Sequence, residues 1–156
     1  MSDCRALDNQ RLFVEEAIIG GIKRLLSGRV NEVLKETEFS LPLIEFGGYE
    51  GGSAVVPIIS LSTCERTEKE RIIRLDAYTL TIVFALPESP ESELHSYAYA
   101  AAVDRALGED PALGGAVSRA VLVEKKYIPP KKAHCGDGWE VVLSLRVTVE
   151  GGNNDY

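Results

Sequence analysis

From Trp139 to Val149 every second residue is large and apolar: Trp139, Val141, Leu143, Leu145, Val147 and Val149. Successive side chains of an extended chain point to opposite faces, so a period of two over this length dictates a strand with one buried face. A second run behaves the same way. From about Arg71 to Leu86, one face carries Tyr78, Leu80, Ile82, Phe84 and Leu86, and the other carries Ala77, Thr79, Thr81, Val83 and Ala85. Two such strands need a cover for their apolar faces, and the rest of the chain has to supply it.

Two segments have helical rather than strand periodicity. The first starts near Asp8 and runs to about Ser27, with Val14, Ile18, Ile22 and Leu25 on one stripe, widened by Phe13, Ala17 and Leu26. This spacing predicts an amphipathic helix that Gly28 can end, or that "RVNEVLKE" extends by a turn or two. The second lies within "PESPESELHSYAYAAAVDRALG". Ser89 is placed to cap it, Pro90 fits the first helical position, and Gly108 suits a left-handed stop. Leu94, Tyr97, Ala98 and Ala101 share a face expected to lie on the sheet.

Shorter strands complete the set. "AVVPIISLS" reads as a strand whose Pro57 points to an edge or bulge, followed by "CERTEKE" as a charged turn. Val117 to Tyr127 alternates as a strand, and a short strand is expected near Leu43 to Phe46. The order α-β-β-α-β-β, with loops between consecutive strands, implies an α+β fold. The expectation is a mainly antiparallel sheet of four to five strands with two helices on one face. Residues 1–150 read as a single domain and 151–156, "GNNDY" after Gly151, as a frayed tail.

Composition narrows the function classes. A formal charge of −7 argues against a general phosphate-backbone binder, so no nucleic-acid partner is expected. No run approaches the 18 or more apolar residues of a membrane span, and "MSDCRALDNQRLF" lacks the pattern of a secretory signal. Cys4, Cys64 and Cys135 are odd in number and widely spaced, which suits free thiols in a reducing cytoplasm.

Residues that could carry chemistry are few. "FGGYEGG" and "LGGAV" contain paired glycines, but strands rather than helices follow them, so both read as turns and not as phosphate cradles. His134 and Cys135 are adjacent and would point apart in an extended loop. With no short-interval partners they do not read as metal ligands, and no metal or other cofactor is expected. Lys131, Lys132 and His134 place positive charge near Cys135, but no orienting acid or oxyanion donor accompanies them, so the chain does not read as an enzyme. His95 reads as a solvent-facing or rim residue. "EKKYIPPKKAH", Glu124 to His134, concentrates Lys125, Lys126, Lys131 and Lys132 around Tyr127 and two prolines in an otherwise acidic chain. It reads either as a solvated loop or as a docking loop for an acidic partner.

A long strand, an acidic turn with proline, a Tyr- and Ala-rich helix, "DPALGG", and two alternating strands follow one another from residue 71 to residue 150. In this pattern the chain resembles the small tail terminator, or tail completion, proteins of long-tailed bacteriophages and prophages, over roughly half its length. Asp110, Leu113, Gly114 and Gly115 match the D-x-x-L-G-G joint common after the second helix in that group. The resemblance implies a non-catalytic minor tail protein of the virion, made in the bacterial host cytoplasm. It forms a homo-oligomeric ring, commonly a hexamer, on the head-proximal end of the tail tube. Its implied partners are itself, the tail tube protein and the head–tail connector protein. Gly47, Gly48, Tyr49 and Glu50 in one loop, and Lys125, Lys126, Tyr127, Lys131, Lys132 and His134 in the other, are the expected contact residues. The "FGGYEGG" segment and the lysine-rich stretch depart from simpler members of the group. Two other classes stay open: another phage neck or baseplate adaptor subunit, and a small cytoplasmic enzyme or ligand-binding domain using Cys135 and His134.

Overall fold

The computed structural model describes residues 2–46, 55–69, 73–131 and 137–151. Four strands, β1 (Ile58–Lys69), β2 (Ile73–Pro87), β3 (Arg119–Ile128) and β4 (Asp137–Gly151), form one sheet in the order β1-β2-β4-β3. Every pairing is antiparallel. Helical segments cover one face, so the fold is α+β with a mainly antiparallel sheet.

The two alternating runs become the central strands. Leu80, Ile82 and Phe84 of β2 and Val141, Leu143, Leu145 and Val147 of β4 are fully buried. One row of the helix-covered face crosses all four strands with a leucine in each, Leu61, Leu80, Leu145 and Leu122 in spatial order. The opposite face carries Thr79, Thr81 and Val83 on β2 and Val142 and Ser144 on β4, all half-buried. An antiparallel sheet with one packed face has this in–out alternation.

Strand β3 runs close to its expected bounds, whereas the outer strand β1 differs from its sequence expectation. Strand β1 begins only after Pro57, whose ring nitrogen has no hydrogen to give to a ladder. The stretch expected to turn at "CERTEKE" instead stays paired as far as Lys69, with Cys64 opposite Tyr78 and Lys69 opposite Ile73. Charge suits an edge strand, which pairs on one side only and is guarded in natural sheets by charged residues. The expected strand near Leu43 to Phe46 reduces to one parallel bridge between Ile44 and Val55.

The first helical rod is continuous from Ser2 to Lys35: α1 (Ser2–Leu25), a π-helical turn (Leu26–Val30) and α2 (Asn31–Lys35). Gly28 does not end it. Residues on either side, Leu25 and Asn31, keep right-handed helical angles, and the π turn absorbs the glycine. The expected stripe is largely in place, since Ile18, Ile22, Leu25 and Leu26 are buried and Val14 packs against the core.

Helix α3 (Ser92–Glu109) buries a different face from the one its spacing suggests. Leu94, Tyr97 and Ala101 face solvent, whereas Ser96, Tyr99, Ala100, Val103, Ala106 and Leu107 line the core. Two polar groups on that face find partners. Ser96 Oγ donates to Glu93 O at 2.5 Å, and Tyr99 Oη donates to Pro42 O. Burial pushes the Tyr99 phenol above its ordinary range. Phe84 and Tyr99 pack ring on ring at 5.4 Å between sheet and helix. The expected caps also differ. The helix starts at Ser92, not at Pro90, and Ser92 Oγ accepts the N–H of Trp139 on β4 at 2.8 Å. Gly108 lies inside the helix, and Asp110 ends it because the following Pro111 disfavours a helical residue before it.

The two helical rods are tied at the surface by ions. Arg29 Nε meets Glu109 Oε1 at 2.7 Å, and Arg105 Nη1 meets Glu36 Oε2 at 3.2 Å. The Arg29 guanidinium holds the Glu109 carboxyl below its ordinary value of 4.5. A lowered carboxylate contributes stability that is complete above that value and is lost as pH falls through the lower one. The Glu109→Gln variant is therefore expected to unfold more easily than the parent at neutral pH, and the two curves are expected to converge as pH falls from the ordinary value of 4.5 through the lowered one. Urea titrations across that range check this, and added salt should shrink the gap because the pair is exposed.

Candidate functional site

The "DPALGG" stretch is a folded joint between α3 and β3. Asp110 Oδ1 accepts the N–H of Gly114 at 3.0 Å, and Leu113 is buried in the core. Gly114 and Gly115 have φ of 69° and 95°, left-handed values that glycine adopts without penalty, and they follow Leu113, a non-glycine residue held at φ 51°. Pro111 O accepts the N–H of Ala120 at 2.7 Å, which fastens the joint to β3. On its other side α1 comes close: a methyl group at Gly21 would lie 3.1 Å from Leu113 Cβ and 3.3 Å from Ala116 Cβ. Asp110, Leu113, Gly114 and Gly115 thus each have a structural task in the joint. Gly115→Ala is expected to cost about 1–2 kcal/mol through its left-handed backbone alone. Urea unfolding should show this as a lower midpoint with an unchanged slope.

The lysine-rich stretch is divided by the structure. Glu124 to Ile128 belong to β3 and are not loop. The alternation that carries β3 out of the joint continues through them against Ser144 to Glu140 of β4. Lys125 Nζ pairs with Asp104 Oδ2 of α3 at 3.1 Å, and Lys126 Nζ lies 3.6 Å from Glu124 Oε1. Tyr127 stands edge-on to Tyr97 of α3 at 4.7 Å, and Tyr97 Oη donates to Glu93 Oε1 at 2.9 Å. That hydrogen bond, helped by burial, raises the Tyr97 phenol above its ordinary value. Lys125 and Tyr127 therefore hold the edge strand to the helix.

Lys131 is exposed beside a cavity of about 270 Å³ walled by Leu86, Ile128, Pro129, Pro130 and Gly138. Lys132, His134 and Cys135 fall outside the described residues, as do Gly47, Gly48, Tyr49 and Glu50 and the tail after Gly151. A second cavity of about 310 Å³ opens at the joint between α3 and β3, lined by Leu107, Gly108, Pro111, Ala120 and Leu122 with Asp104 and Arg119.

His95, expected to face solvent or lie at a rim, is largely buried. Its side chain is 16% exposed, stands edge-on to Phe39 at 5.2 Å, and places Nε2 3.6 Å from Glu91 Oε2, beyond hydrogen-bond length. Among the described residues this buried nitrogen has no hydrogen-bond partner. Among the described residues no three His, Cys, Asp or Glu side chains converge where a metal could sit. No helix among them is long and apolar enough to cross a membrane.

Sequence reasoning missed the apolar fringes of the sheet. Val56 and Ile58 at the head of β1, and Val121, Val123 and Ile128 on β3, are exposed although large and apolar. Strand order is invisible in one sequence, so it could not show which apolar residues of a strand lie at a rim. No family model and no curated protein matches the chain.

Proposed function

We propose that this chain is a structural subunit of a long-tailed phage or prophage particle, a tail terminator. It would assemble as a ring on the head-proximal end of the tail tube, stop tube growth and present a surface to the connector. The observation that supports this most is the joint at Asp110 to Gly115. The residues that resemble the tail-terminator motif are the ones that anchor helix, edge strand and first rod to one another. A motif used in this way serves the scaffold, as expected of an assembly subunit rather than of an enzyme. A ring subunit also needs two unlike surfaces that fit each other, and a sheet with two open edges offers them.

The test is the mass of the purified chain by light scattering, alone and mixed with tail tubes of the phage or prophage that carries its gene. A ring, free or seated on tube ends in electron micrographs, supports the proposal. A monomer that ignores the tubes overturns it.

A further inference from the structure

Among the described residues, the outer strands β1 and β3 each pair on one side only. An open edge presents unpaired N–H and C=O groups, and natural sheets protect such edges with charge, proline or bulges. Here the protection is incomplete in a specific way. Each edge strand has one bulge, at Ser62 in β1 and at Val123 in β3, on either side of the leucine row. On β3 the bulge turns an apolar side chain outward, leaving Val123 59% exposed. Lys125 is held by Asp104 and Lys126 lies beside Glu124, so both lysines already have carboxylate neighbours on their own chain.

The apolar groups at the two edges also share a face. Ile58 pairs with Val83, Val121 with Arg146 and Ile128 with Glu140, so all three side chains lie on the helix-free face. Ile58 is 67% exposed. One row crosses the sheet through Ile58, Val83, Val142 and Lys126, and the next two pass through Ile59 and Lys125 and through Ser60 and Glu124. Over these three rows neither edge strand is bulged.

Strand direction selects the occupant. Four antiparallel strands are an even number, so β1 and β3 run in opposite directions. A second copy placed beside the first in the same orientation sets its β1 antiparallel to β3, and the alternation continues unbroken. Pairing β3 with β3, or β1 with β1, would instead require a two-fold axis and would leave the other apolar edge bare. From these features we infer that the free edge of β3, along Glu124–Lys126, receives the β1 edge of a second copy, along Ile58–Ser60. The contact is a head-to-tail, antiparallel one. It places Ile58 of one copy opposite Lys126 and diagonal to Ile128 of the next on the open face, as cross-strand pairs that stabilise sheet pairing. A heterologous contact of this kind closes into a ring when its rotation permits and otherwise grows into a filament. The inference rests on the ring-forming reading above.

Paired cysteines test it. In a background with Cys4, Cys64 and Cys135 changed to serine, Ile58→Cys and Lys126→Cys are made as separate proteins, with Ile128→Cys covering a two-residue stagger. Opposite residues of an antiparallel pair lie within disulfide reach. Slow oxidation at high protein concentration traps even a weak contact. The expected result is a doubling of mass only when the Ile58→Cys protein is mixed with one of the β3 variants. The Ile58→Cys, Lys126→Cys double variant should give a ladder that stops at a closed species. No mixed dimer, or a β3–β3 dimer from one variant alone, overturns the edge contact. A native ring without the mixed disulfide refutes this interface and spares the ring proposal. A mixed disulfide whose ladder never closes does the reverse.

Discussion

Replacing Gly138 by alanine is expected to be among the most damaging single substitutions in the chain. A methyl group there would be driven into Pro87 O and Ser92 Oγ, and would lie 2.8 Å from Leu86 O. Two of these three atoms are backbone carbonyls at the end of β2, so they cannot rotate out of the way as a side-chain tip would. The third accepts the N–H of Trp139 at 2.8 Å, so moving Ser92 would also leave that amide without its partner. Overpacking by one methyl against backbone costs about 1–3 kcal/mol and sometimes more. With the threatened hydrogen bond, a loss of about 3 kcal/mol or more is expected. Urea unfolding should show it as a large fall in midpoint, and near-ultraviolet dichroism should report a disturbed Trp139. Gly108→Ala is the control. It sits inside α3 with nothing within 4 Å of the added carbon, and should stabilise by about 0.5–1 kcal/mol. If both variants behave alike, the close approach at Gly138 is not real.

The contrast between these glycines shows what one sequence makes legible. The alternation of β2 and β4 was visible because a strand with one buried face writes its burial into every second residue. The buried face of α3 was not. Its residues are mostly alanine, serine and tyrosine, with little apolar contrast, and Leu94 and Tyr97 looked the better core candidates. Only the tertiary partners decide: Pro42 O receives Tyr99, while Tyr97 turns to Tyr127 on the neighbouring edge strand. "CERTEKE" misled for a related reason. Charge usually marks a turn, but an edge strand tolerates it, and nothing local distinguishes an edge from a centre. The candidate site divides in the same way. The positive-φ glycines of the joint were readable from composition and order. The apolar fringes of β1 and β3 became meaningful only once the strand order β1-β2-β4-β3 placed them at the rims.

Asn31 was equally invisible, and it carries the second large effect. It lies at the start of α2, buried, on a rod whose other buried positions among the described side chains are apolar. Its amide acts as a short piece of strand. Oδ1 accepts the N–H of Ile44 at 2.8 Å, and Nδ2 donates to Ile44 O at 2.9 Å and to Ser27 O at 3.2 Å. Ile44 is fully buried, and its neighbours Leu43 and Glu45 exchange hydrogen bonds with Val55. The side chain therefore pairs with a backbone segment that has no sheet beside it on the rod. Asn31→Ala removes both partners of Ile44 at once, leaving a buried N–H and a buried C=O unpaired at about 1–3 kcal/mol each before relaxation. A net loss of about 3 kcal/mol is expected, well above the few tenths that the small change in helix propensity would move in the other direction. Asn31→Asp discriminates further. It keeps the acceptor for the Ile44 N–H but turns a donor into a charged oxygen facing Ile44 O, so it should be at least as destabilising as alanine. The decisive reading is hydrogen exchange at the Ile44 amide. It should lose its protection in Asn31→Ala far beyond the global change, and keep more of it in Asn31→Asp, whose carboxylate still accepts the Ile44 N–H, if this bond pins the segment to the rod. If instead the Ile44 amide exchanges no faster than the neighbouring core amides in Asn31→Ala, the segment is held by its apolar contacts and the Asn31 bridge is incidental.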